Sequence, residues 1–196
     1  MKNVPLVLTL AGAAALAGCA SYRAGMGANT STVATTTTTT VTRTAPVPAR
    51  LAAADLQFVA IAAGSGMYEA EAARVASSRA NDAQVRGYVQ MLLDHHTASN
   101  DELMALLSAK GHRVAPGLPP SLQARITTLS GLTGAPFDRE FMRTTGVQDH
   151  MAAVAAFEEG RRTVADRDLQ AYIDKTLPVL RSHLQEAQNI SGRLAG

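Results

Sequence analysis

Between Val85 and Leu106 the chain repeats apolar residues three and four positions apart. Val85, Val89, Leu92, Leu103 and Leu106, with the small Ser99, fall on one stripe of a helix. Such a stripe is stable in water only when other helices cover it. His96 falls inside this one, and His95 sits on its flank. The chain must therefore bury a helix face that carries an imidazole.

Three further stripes supply the cover. Asp55 is expected to cap a first helix bearing Phe58, Ile61, Ala62, Ser65, Glu69, Ala72 and Ala76, which ends before Asn81-Asp82. The Gly64-Ser65-Gly66 segment is costly in a helix interior, by roughly 1 kcal/mol per glycine, and implies close approach of a neighbour. Asp82 caps the second helix, which runs to about Lys110 and stops at Gly111. The third begins near Pro136 and gathers Phe137, Phe141, Val147, Met151, Val154 and Ala155, with His150 toward one edge and Glu158 near the middle. Asp166 caps the fourth, with Leu169, Ile173, Thr176, Leu180, His183, Leu184, Ala187 and Leu194 on its stripe and a kink expected at Pro178. A proline-rich loop over 112–120 and a short helix capped by Ser121 form a long crossover between the second and third helices. Aromatic residues are only 4% of the chain and tryptophan is absent, which favours thin, closely packed helices over a sheet. The reading is all-α: a ferritin-like four-helix bundle over 51–196, with a short extra helix in its crossover.

Ahead of this domain, residues 1–18 read as a lipoprotein signal peptide. The apolar run Val4 to Ala17 is too short for a comfortable membrane span, and Leu16-Ala17-Gly18-Cys19 resembles the bacterial lipobox, in which the cysteine is acylated. Cys19 is the single cysteine, so its lipidation leaves no thiol for disulfides, thiolate ligation or nucleophilic catalysis. Ala20 is not the aspartate that resembles an inner-membrane retention signal, so the expectation is a lipid anchor in the outer membrane, facing the periplasm. Residues 19–50, with Thr35 to Thr40, Pro46 and Pro48, read as a disordered tether, with a span on the order of 30 Å. Lys2, Arg23, Arg43 and Arg50 precede the bundle with no acidic residue among them, and removing them from 18 basic residues leaves 14 against 16 acidic ones. A domain with that balance has no electrostatic footprint for nucleic acid.

Glu69, His95 or His96, His150 and His183 come from four different helices and form the candidate metal site. Imidazole and carboxylate suit iron, zinc, copper or nickel. The alternative is that each histidine is a hydrogen-bonded core residue or an edge residue in water. A di-iron oxidase would need Glu-x-x-His pairs, and none occurs. Neither a Gly-x-Ser-x-Gly elbow nor a His-Glu-x-x-His motif is present, so no catalytic residue is assigned and an enzyme is disfavoured. Met67, Met91, Met104, Met142 and Met151 suggest copper handling less than core filling.

Together, Gln57-Phe58-Val59 with Glu69, Met91 to His96 with Asn100 and Leu103, Phe137 to Met142, Asp149-His150, and Thr176 to Leu180 with His183-Leu184 resemble one bacterial family. It comprises secreted, often lipidated ferritin-like proteins catalogued as a domain of unknown function and described loosely as outer-membrane proteins. The resemblance covers about Asp55 to Leu194. It implies a fold and an envelope location but no activity. In helix two the family's Asp-His pair matches Asp94-His95, whereas the spacing to Asn100 and Leu103 fits His96. The competing function is a non-catalytic structural or interaction module in envelope stress tolerance, using the exposed arginines Arg161, Arg162 and Arg167.

Overall fold

In the computed structural model the first two helices, α1 (Ala53–Ser77) and α2 (Ala83–Ala109), lie side by side, joined by a short turn. Residues 50–195 are described; the leader, Cys19 and the tether expected ahead of them lie outside the described residues. Asp82 caps α2 as its sequence suggests, accepting from the N–H groups of Gln84 and Val85 at 2.8 and 3.2 Å. The turn itself is held from outside. Asp138, in α4 (Gly134–Phe141), accepts from the N–H groups of Asn81 and Asp82 at 2.9 and 2.8 Å.

Asp55 does not stand where its sequence context placed it. Ala52 is the N-cap of α1, and Asp55, three residues inside, accepts the Ala52 N–H at 2.8 Å. Its other oxygen accepts from the N–H groups of Ala165 and Asp166 at 2.8 and 3.3 Å. One buried carboxylate thus ties the start of α1 to the loop between α5 (His150–Thr163) and α6 (Arg167–Ala195).

α1 packs on α2 and α5, and α6 packs on α5 and α2, so four rods close a ring. The short α3 (Pro120–Ser130) lies against α1 and α4. It starts at Pro120 with Pro119 as its N-cap, so Ser121 is inside the helix and does not cap it. All described elements are helical. None is long and apolar enough to cross a membrane.

The third rod contains what the 3.6-residue period does not foresee. Between α4 and α5, Met142–Asp149 is wound as a π-helix, which adds residues per turn and rephases everything after it. Met151, expected in the core, is 54% exposed, while His150, expected at the edge, is completely buried. Gly146, in this segment, lets α6 come close: a Cβ there would lie 3.0 Å from Met142 Cε and 3.2 Å from Ala187 Cβ. Of the two α1 glycines, only Gly66 meets a neighbour, the Asn100 side chain; Gly64 faces open space. Ile61, placed on the α1 core stripe by its period, is 47% exposed.

The apolar core has two parts. One contains Phe58, Ala62, Leu103, Leu107, Phe157, Ile173 and Leu177; the other contains Ala73, Val85, Leu92, Phe137, Phe141 and Ile190. On α2 and α6 the histidines fall between residues of the two parts, Leu92 and Leu103 flanking His96, Leu180 and Ala187 flanking His183.

Candidate metal centre

The polar layer is built from one or two residues per rod. α1 gives Glu69, α2 gives His95 and His96, the first position of α5 gives His150, and α6 gives His183. Glu69, His96, His150 and His183 are buried, whereas His95 is exposed. Both histidines of the adjacent pair take part.

Three imidazoles converge. His96 Nε2 lies 3.4 Å from His150 Nε2, and His150 Nε2 lies 3.3 Å from His183 Nδ1. One nitrogen from each of the three lies within 4.8 Å of the others. The ring centroids of His96 and His183 are 5.3 Å apart.

Each ring is held by its far nitrogen. His96 Nδ1 is 3.1 Å from Glu69 Oε2. His150 Nδ1–H donates to the Thr145 carbonyl at 2.8 Å, a reach of five residues that the π-helix makes possible. His183 Nε2 is 2.8 Å from His95 Nδ1, with the two rings 11° from parallel. A carboxylate, a backbone carbonyl and a second imidazole therefore fix the orientations of the three inward nitrogens. This is the outer shell that metal-bound histidines use. It also sorts the five candidates: His96, His150 and His183 form the convergent set, and Glu69 and His95 stand behind them. The sequence reading counts Glu69 as a ligand and leaves His95 and His96 as alternatives; the geometry puts Glu69 and His95 behind the three convergent rings.

The electrostatics favour neutral imidazoles, the form that binds metal. Burial, with the neighbouring imidazoles of His150, His183 and His95, holds His96 well below the usual histidine range. Burial also lowers His150, against the Thr145 hydrogen bond and Asp149, which raise it. His183 is brought down to about 3 by burial, then by His150 and His95. The Glu69 carboxyl moves the other way: burial, reinforced by Asp149 and partly offset by Arg125, pushes it well above the usual range. A negative charge on Glu69 is thus costly here without a compensating cation.

Glu69 Oε1 is buried with no hydrogen-bond partner, at 3.9 Å from His150 Nδ1. Tyr88 Oη is likewise buried and unpartnered, and the Tyr88 ring lies 6.3 Å from that of His150. Neither Tyr88 nor Thr145 stood out in the sequence. Thr145 contributes a backbone atom, which no residue type advertises. The arginines of the alternative reading lie elsewhere. Arg161 pairs with Asp174 at 2.9 Å, Arg162 pairs with Glu159, and Arg167 is exposed at the start of α6.

The architecture has relatives. The chain is similar to a solved structure titled "Crystal structure of DUF305 fragment from Deinococcus radiodurans", with a TM-score of 0.65 and 17% identity over 74% of this chain and 99% of that one. At that identity the likeness is one of fold. No curated protein matches the chain. The model of the family described as Domain of unknown function (DUF4142) matches residues 40–190, and the chain belongs to that family.

Proposed function

We propose that this domain binds a single divalent transition-metal ion, zinc foremost, through His96 Nε2, His150 Nε2 and His183 Nδ1. The observation that carries the reading is the outer shell: all three rings have their far nitrogens engaged, leaving the near ones turned toward one another. Two of the near-nitrogen separations are 3.3 and 3.4 Å. At zinc–nitrogen bonds of about 2.0–2.1 Å a tetrahedral edge is roughly 3.3–3.4 Å, whereas a right-angled octahedral edge is roughly 3.0 Å. Those two separations match a tetrahedral edge, the three nitrogens lie within 4.8 Å of one another, and the absence of thiolates argues against the softest metals. Three protein ligands leave a fourth position for water or a small anion.

The ring of four rods with a long crossover between the second and third supports a ferritin-like bundle, and the lack of Glu-x-x-His supports one ion over a di-metal centre. Leu16-Ala17-Gly18-Cys19 supports anchoring of this domain in the cell envelope through a lipidated Cys19. Protein purified without an affinity tag is expected to carry one zinc per chain by elemental analysis. His96→Ala and His183→Ala are expected to lose it while keeping their helical circular dichroism. Full metal content in both variants would overturn the site.

A further inference from the structure

We infer that metal reaches this centre through the groove between α1, α3 and α5, with Glu69 as its first protein contact and Arg125 as the gate. The inference rests on the metal-binding reading and adds the route to it. The groove has a volume of about 350 Å³ and is lined by Tyr68, Glu69, Leu122, Arg125, Asp149 and Ala153, among others. At about 30 Å³ per water, it has room for an ion with its hydration shell.

Glu69 joins the groove to the buried layer. It lines the groove, is only 1% exposed, and has one oxygen on His96 Nδ1 and the other without a partner. A hydrated divalent cation gives up water most readily to a carboxylate oxygen, then moves to the imidazole nitrogens that suit it better. The unpartnered Oε1 supplies that first contact. Transfer from Oε1 to the inward nitrogens requires the Glu69 and His96 side chains to move and then return, because Oε2 lies 3.1 Å from His96 Nδ1, on the far side of the ring from Nε2.

Arg125 lines the same groove, with its side chain 40% exposed to solvent. Its guanidinium lies 4.4 Å above the Tyr68 ring and 2.6 and 2.9 Å from the two oxygens of Asp149. It therefore places a positive charge in the wall of the groove that also holds Glu69, and it pairs with the carboxylate next in sequence to His150. The aromatic face and the ion pair together restrict its movement. A second cavity that reaches the layer, lined by Glu69, His96, Asn100 and Tyr172 among others, has a volume of only about 10 Å³, too small for a hydrated ion.

The test is the kinetics of loading. Full-length protein stripped with a chelator is mixed with Co(II), whose visible bands report tetrahedral binding, and with Zn(II) in competition. Arg125→Ala is expected to load about tenfold faster, at the low end of what charge in a cleft does to association rates. Its release to chelator should quicken similarly, with stoichiometry unchanged. Arg125→Lys keeps the charge and should stay slow, which separates gating from folding, and circular dichroism checks both variants. Glu69→Gln should load more slowly, and Lys175→Ala, at an exposed ion pair away from the groove, at the wild-type rate. Unchanged rates in Arg125→Ala, or in Glu69→Gln, would overturn the route and leave the metal centre standing. Failure of the wild-type protein to take up either ion would overturn the centre itself, and the route with it.

Discussion

The two apolar halves of the core and the histidine layer between them are built from the same rods but meet opposite demands. In the halves, Leu103, Phe141 and Ile173 are completely buried and interchangeable in kind: what matters is that the volume is filled. In the layer, each imidazole depends on one particular atom of another element, a carboxylate oxygen from α1, a carbonyl of the π-helix, or a ring nitrogen from α2. The halves therefore hold the fold and the layer sets its chemistry. Losses in one should be separable from losses in the other.

The sharpest way to break that distinction is to empty the apolar side. Phe141→Ala removes a buried ring and should cost about 3–5 kcal/mol in urea or guanidinium unfolding, while the fraction that stays folded keeps its metal. Loss of metal in fully folded Phe141→Ala would mean that the halves and the layer are one unit.

A smaller effect should come from pH in chelator-stripped protein. The folded-state value of His183, about 3, lies below its unfolded value of about 6.5. The unfolded chain then binds more protons between those limits, so the contribution is fully present above about pH 6.5 and is lost progressively as pH falls toward 3. His96 and His150, shifted in the same direction, add to it. The unfolding midpoint should fall on acidification from pH 7 to pH 5, and His183→Phe should flatten that slope. A flat wild-type profile would place the imidazoles in water, not in a dry layer.

The smallest effect belongs to the surface. Lys175 and Glu102 are paired at 2.6 Å with both side chains exposed, and Lys175→Ala should change stability by less than about 1 kcal/mol with no change in metal content. That variant sets the floor against which the other two are judged.

Much of the helical framework was legible because helix periodicity and capping are local. Asp82 and Asp166 cap as their positions suggest, Gly111 ends α2 with a positive φ, and α6 buries the stripe on which His183 lies. Where the reading errs, a neighbour outside the local pattern decides. Asp55, read as the cap of α1, stands three residues inside it and holds both the Ala52 N–H and the distant Ala165 N–H, and Pro119 displaces Ser121 as the cap of α3. Past Phe141 the face assignment fails because the π-helix changes the period on which such assignments depend. That is why Met151 turned outward and His150 turned in.

By itself the sequence determined that the chain makes helices, how many rods share the core, and that Glu69, His96 and His183 lie on buried stripes, since each follows from residue spacing along one segment. Only the tertiary structure decided which nitrogens meet, that His95 and Glu69 stand behind the convergent rings, and that Thr145 holds His150. Those facts depend on the relative height and rotation of rods far apart in the chain, and the eight-residue π-helix resets both for the third rod.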